Sequence, residues 1–177
     1  MRYPFMDFAL LSGNWMPQGK LSLLGDHPTL GYIFGIKQRR FLFDMYQDFK
    51  FKQVNSQPFF TMGLGLDFGR QMVRSHRNEI NIRGGLGYDM IFSNVDLYDN
   101  ALMSSIKFIY FAGASVEYRR YYTNQAYLGV QIKYELMEFA FAKGFIPLGN
   151  ALTLRLNLGF CSNYYVNWQL KRIFYRN

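Results

Sequence analysis

The chain has 177 residues, enough for one domain; half are apolar, 19% aromatic and only 18% charged, against about a quarter charged in typical soluble domains. This excludes a disordered chain, in which aromatics are scarce and charge is dense. A mean hydropathy of −0.12, with no run near the ~18 apolar residues of a spanning helix, excludes a helical membrane protein.

The net charge of +8 and the pI of about 9.6 call for an anionic neighbour: nucleic acid, lipid headgroups or an acidic protein. No secretory leader opens the chain, since Met1-Arg2-Tyr3-Pro4 leads straight into sequence containing Asp7. A cytosolic protein, or a mature or truncated form, is expected from that start. The single Cys161 excludes an internal disulfide framework and a cysteine-built metal site, and no cofactor is expected.

Hydrophobicity in this chain is carried by alternation. The first segment is weak, with Met6, Phe8 and Leu10 against Asp7 and Ala9. The second sets Leu30, Tyr32, Phe34 and Ile36 against Thr29, Gly31, Ile33, Gly35 and Lys37; the third sets Phe41, Phe43, Met45, Phe49 and Phe51 against Leu42, Asp44, Tyr46, Asp48 and Lys50. In the fourth, Phe60, Met62, Leu64, Leu66 and Phe68 oppose Thr61, Gly63, Gly65, Asp67 and Gly69. In the fifth, Ile80, Ile82, Leu86, Tyr88 and Met90 oppose Asn81, Arg83, Gly85, Gly87 and Asp89. The sixth opposes Ile106, Phe108, Tyr110, Ala112, Ala114 and Val116 to Lys107, Gly113, Ser115 and Glu117, with Ile109 and Phe111 blurring the pattern. The seventh opposes Ala126, Leu128, Val130, Ile132, Tyr134 and Leu136 to Gln125, Gly129, Gln131, Lys133 and Glu135. The eighth is the clearest, with Leu152, Leu154, Leu156, Leu158 and Phe160 against Thr153, Arg155, Asn157 and Gly159.

A period of two means a strand, and segments of about ten residues are long enough to cross a bilayer at a tilt. A soluble barrel turns its apolar face inward and needs few glycines on the water side. Here the minority face mixes glycine with Asp, Glu, Lys and Arg, the composition a narrow lumen accepts, so the apolar face meets lipid. Short links at 37–40, 74–78 and 119–124 alternate with longer ones at 12–28, 95–105 and 139–150, and one shorter link at 52–58. Outer-membrane barrels have this asymmetry, with short turns in the periplasm and long loops outside. The expected fold is all-β: a closed antiparallel eight-stranded transmembrane barrel, an up-and-down meander with strands within 5–160 in one domain spanning 1–177. The tail 162–177 is left unplaced.

The run from Gly13 to Pro28 (GNWMPQGKLSLLGDHP), the strand Leu30-Gly31-Tyr32, the stretch Phe41 to Phe51 and Gly85-x-Gly87-Tyr88-Asp89 together carry a resemblance. The chain resembles small outer-membrane β-barrel proteins of Bacteroidetes-type bacteria and, more distantly, the OmpA/OmpX-like eight-stranded group. The resemblance implies location in a Gram-negative outer membrane and this architecture; it implies no catalytic residues.

By parity the lumen holds Asp44, Asp48, Asp67, Asp89, Glu117 and Glu135 with Lys50, Arg83, Lys107, Lys133 and Arg155. An eight-stranded barrel is filled by its side chains, so this set reads as a salt-bridged plug, and no diffusion pore is expected. Twelve of the twenty basic residues map to the turn end: Arg2, Lys37, Arg39, Arg40, Arg70, Arg74, Arg77, Arg119, Arg120, Lys171, Arg172 and Arg176. Of these, Lys37, Arg39, Arg40, Arg74, Arg77, Arg119 and Arg120 form an expected basic rim facing anionic headgroups or an acidic periplasmic partner. A nucleic-acid binder would not expose eight apolar strand faces beside such a rim, and a lipocalin-like binding module needs an apolar lumen.

Enzymatic readings are narrow. His76 falls in a turn, leaving His27 as the histidine at the loop end. A lipid A acyltransferase or deacylase using His27 with Asp26 and Ser93 or Ser104 is the alternative to a structural or surface-interaction role. Against it, Gly25-Asp26-His27-Pro28 is a loop-shaping run, because Asp favours turns and Pro holds the residue before it extended. Gly63-x-Gly65 and Gly85-x-Gly87 open no helix and so lack the geometry of a phosphate site. Trp15, Tyr118, Tyr121, Tyr122, Tyr164 and Tyr165 fall near strand ends, where aromatic girdles belong.

Overall fold

Each alternating segment forms one strand, and the strands curl so that the polar face is enclosed and the apolar face is left outside. The computed structural model describes residues 5–54, 57–75, 77–92, 106–123, 125–137 and 149–161. The strands are β1 (Phe5–Pro17), β2 (His27–Gln38), β3 (Phe41–Val54), β4 (Gln57–Arg74), β5 (Asn78–Phe92), β6 (Ile106–Tyr121), β7 (Ala126–Met137) and β8 (Gly149–Cys161), with a 3-10 helix at Gly19–Leu24 between β1 and β2. Each pairs antiparallel with its chain neighbours, and β8 pairs with β1 to close the barrel.

The register sets the shape. From Asp7 the pairing runs through Gly35, Asp44, Asp67, Gly85, Gly113, Glu135 and Ala151 and returns to β1 at Pro17, ten residues further along. With ~3.3 Å per residue and ~4.8 Å between strands, that stagger over eight strands tilts them about 40° from the barrel axis. The shortest strands have 12 residues and the longest 18, more than the alternation alone marks out, because hairpin pairing continues past the apolar band. At this tilt, a strand of that minimum length rises roughly 30 Å, the thickness of a bilayer's hydrocarbon core.

β7 shows the consequence for packing. Leu128, Val130, Ile132, Tyr134 and Leu136 are exposed, whereas Gln131, Lys133 and Glu135 between them are buried. Leaving one such apolar side chain in water forfeits about 1.5–3 kcal/mol, and soluble proteins rarely expose large contiguous apolar patches. This wall therefore requires an apolar surrounding. The three turns and both described chain ends, Phe5 beside Lys37 and Cys161 beside Asp7, lie at one end of the barrel.

Candidate functional site

The lumen is the chemically dense part of the molecule. Asp44, Asp48, Lys50, Asp67, Arg83, Asp89, Glu117, Lys133, Glu135 and Arg155 all project into it, each with 3% exposure or less. Lys107 stands on β6 with its side chain outside the described residues.

In the half nearer the turns, Glu117 is the hub. Its Oε2 lies 2.7 Å from an Arg83 Nη and accepts from Arg119 Nε at 2.6 Å, and Oε1 accepts from Asn157 Nδ2 at 2.6 Å. Arg83 Nε also donates to Asp44 at 2.5 Å. Arg119 donates to Asp7, which accepts from the Tyr127 hydroxyl at 2.9 Å, and the guanidinium sits 4.3 Å from the centre of the Tyr127 ring. Lys37 and Glu79 pair at 2.6 Å, with the Tyr121 hydroxyl 3.3 Å from Glu79.

Nearer the loops, Lys50 Nζ donates to both oxygens of Asp89 at 2.6 Å and lies 3.6 Å from Asp48, to which Arg155 also donates. Lys133 reaches Glu135 at 3.3 Å and Asp67 at 3.6 Å and donates to the Tyr46 hydroxyl. Inward glycines make room for the large partners: the Tyr46 ring occupies the space a Cβ of Gly65 would need, and the Tyr127 ring does the same over Gly159. Gly63-x-Gly65 is thus strand backbone lying under neighbouring side chains.

Above the ion pairs the lumen turns apolar. Trp15, Leu21, Leu24, Phe59, Ile91, Ile109, Phe111 and Met137 form one buried cluster, with Leu21 and Leu24 supplied by the 3-10 helix. Ile109 and Phe111, which blur the alternation, are the β6 contribution to this plug. His27 lies within it, fully buried, its ring centred 4.7 Å from Phe59 and 5.4 Å from Trp15. Because a carbonyl oxygen only accepts, His27 Nε2 carries the proton and donates to Leu24 O at 3.0 Å. Among the described residues no serine hydroxyl bonds this ring; Ser93 and Ser104 lie outside the described residues.

Four expectations need correction. Lys37 and Arg119 are not on the rim. Both continue the inward parity of their strands and are buried against Glu79, and against Asp7 and Glu117, because the polar face runs on to the last residues of β2 and β6. Trp15 and Tyr121 are not girdle residues: Trp15 points inward and packs in the plug, since β1 stays in register to Pro17, and Tyr121 continues the inward parity of β6, packing on Tyr127 with its hydroxyl on Glu79. Arg39, Arg40, Arg74, Arg77 and Arg120 are exposed at the turn end, as is Arg70. Arg2, His76, Tyr164, Tyr165, Lys171, Arg172 and Arg176 lie outside the described residues.

Barrels with this strand topology are known. The fold is that of small outer-membrane β-barrels. Neisserial surface protein A aligns with a TM-score of 0.61 at 11% identity, over 91% of this chain and 97% of that one. The N-terminal barrel domain of Pseudomonas aeruginosa OprF gives 0.63 at 10% identity, over 89% and 96%. Ail, the attachment invasion locus protein of Yersinia pestis, gives 0.50 at 7%, over 91% and 99%. At such identities the likeness is one of fold. No protein-family model matches the sequence, and neither does any curated protein.

Asp7, Glu79 and the two tyrosines Tyr46 and Tyr127 belong to the lumen network but not to the set picked out by charge and parity. Parity would have found all four, as each lies on the minority face of its strand. The plug carried the same signal, with Leu11, Ile33, Ile91, Ile109 and Phe111 sharing inward parity. Leu21 and Leu24 carried none, because the helix that brings them over the mouth has no strand period.

Proposed function

We propose that this protein is a small integral barrel of a Gram-negative outer membrane, of the type found in Bacteroidetes, with a structural or surface-interaction role and neither pore nor enzyme activity. The observation that carries this reading is the combination of a closed wall with an apolar exterior and a lumen occupied, among the described residues, by paired charges and an apolar plug. Outer-membrane lipids are its immediate partners. The turns face the periplasm, placing the exposed arginines against anionic headgroups or an acidic periplasmic partner.

Filling supports the non-pore role, because a permeating ion would have to separate buried pairs such as Lys50 and Asp89. The position of His27 supports the non-enzymatic role: a general base must reach the proton it abstracts, and this ring is enclosed by Trp15, Phe59 and the helix.

Purified protein in planar bilayers should give no steady conductance, and His27→Ala should leave the host's lipid A unchanged by mass spectrometry. Stable open channels would defeat the non-pore reading, and an acyl-chain change that tracks His27 would install the enzyme in its place. Single cysteines at Ser22 and Ser75, in a Cys161→Ser background, test the orientation. An impermeant maleimide should label position 22 on intact cells and spare position 75.

A further inference from the structure

Among the described residues the exposed arginines do not ring the barrel; they form an arc. Arg39 and Arg40 occupy the β2–β3 turn, Arg70 and Arg74 the end of β4, Arg77 the β4–β5 turn and Arg120 the end of β6. Backbone bonds join the pieces, since Gln71 N donates to Arg40 O and Tyr121 N to Arg77 O, both at 2.7 Å. The turn ends of β7, β8 and β1 present no exposed basic side chain among the described residues. Nor do the described residues neutralise the arc. Eight described carboxylates, Asp7 to Glu135, are sealed in the lumen, and the only exposed one, Asp26, is at the loop end.

Two of the arginines lie on the outer wall itself. Arg70 projects outward on β4 between Phe68 and Met72, which are 63% and 52% exposed, and Arg120 does so on β6 between Tyr118 and Tyr122, at 43% and 65%. Each guanidinium therefore has apolar surface above and below it. That is the level at which lipid phosphates meet acyl chains, and guanidinium pairs with phosphate through bidentate, charge-assisted bonds. A soluble acidic protein docking beneath the rim would engage the turns and leave Arg70 and Arg120 on the wall unused.

Resting on the outer-membrane reading, we propose that the β2–β6 side of the turn rim is a binding site for an anionic diacyl phospholipid. Its phosphate is held by Arg70 and Arg120, with the turn arginines beside it, and its acyl chains lie along the outer faces of β4 to β6.

Folding the full chain into phosphatidylcholine vesicles containing a minor fraction of phosphatidylglycerol, extracting it in mild detergent and counting retained lipids by native mass spectrometry tests the site. Wild type should retain phosphatidylglycerol in preference to phosphatidylcholine. Arg70→Gln and Arg120→Gln should each weaken retention about fivefold, the equivalent of the ~1 kcal/mol that a basic residue gains near an anionic surface. Adding Gln125→Arg to the Arg70→Gln variant restores the net charge beside β8, where Gln125 O accepts from Cys161 N, and should not restore retention. Recovery in that variant would reduce the site to net charge and overturn it. So would equal retention of the two lipids by folded wild type, or displacement of the lipid by inorganic phosphate alone. Failure of wild type to acquire β circular dichroism in any vesicle would instead defeat the membrane reading beneath the proposal.

Discussion

The two ends of the lumen are closed by different physics. Toward the turns, buried charges pair across strands, Lys37 with Glu79, Arg83 with Asp44 and Arg119 with Asp7; Glu117 alone takes donors from β5, β6 and β8. Toward the loops, the 3-10 helix lowers Leu21 and Leu24 onto Trp15, Phe59 and Phe111, and closure there depends on excluding water. The ion pairs specify register, because slipping one strand by one residue would turn its buried charges onto the lipid face. The apolar plug tolerates imperfect geometry, since hydrophobic burial is non-directional.

Breaking the hub should have the largest effect. Glu117→Ala leaves Arg83 and Arg119 buried with one carboxylate partner fewer, and removing one partner of a buried pair costs about 3–5 kcal/mol; urea titration in vesicles should show that loss. Next is the wall that both ends share. Leu154→Arg should cost about 2–4 kcal/mol on the lipid face, whereas Thr153→Ala, one residue away and facing inward, should stay within about 1 kcal/mol. Equal losses for that pair would refute the inside-out assignment.

The plug comes third. Leu24→Ala should cost about 2 kcal/mol, the low end for a buried leucine, because water at the mouth fills the gap left behind. Bilayer conductance should stay closed in this variant, since the ion pairs below are untouched. The smallest effect separates the lumen from the rim. Raising salt from about 0.1 M to 1 M shortens the screening length from ~10 Å to ~3 Å, yet the unfolding midpoint should scarcely move, because the lumen pairs are shielded from solvent. A marked salt-induced loss of stability would mean that the pairs are hydrated.

Strand number, the inside-out polarity and most of the lumen's charged residues were legible in the sequence, because a strand's side chains alternate with a fixed period of two and the lipid and lumen faces select opposite residue types. Asp44, Asp48 and Lys50 on β3 are legible on that ground alone. What alternation could not supply is which strand ends remain inside. Lys37 and Arg119 stand beside turn residues in the chain, but the tilt of the barrel brings Glu79 to Lys37 across 42 positions and Asp7 to Arg119 across 112. The same limit applies to the arc of arginines and to the plug. A position around the circumference, or a helix folded over the mouth, is set by the stagger of ten residues that closes β8 on β1, a relation between chain ends that no local period records.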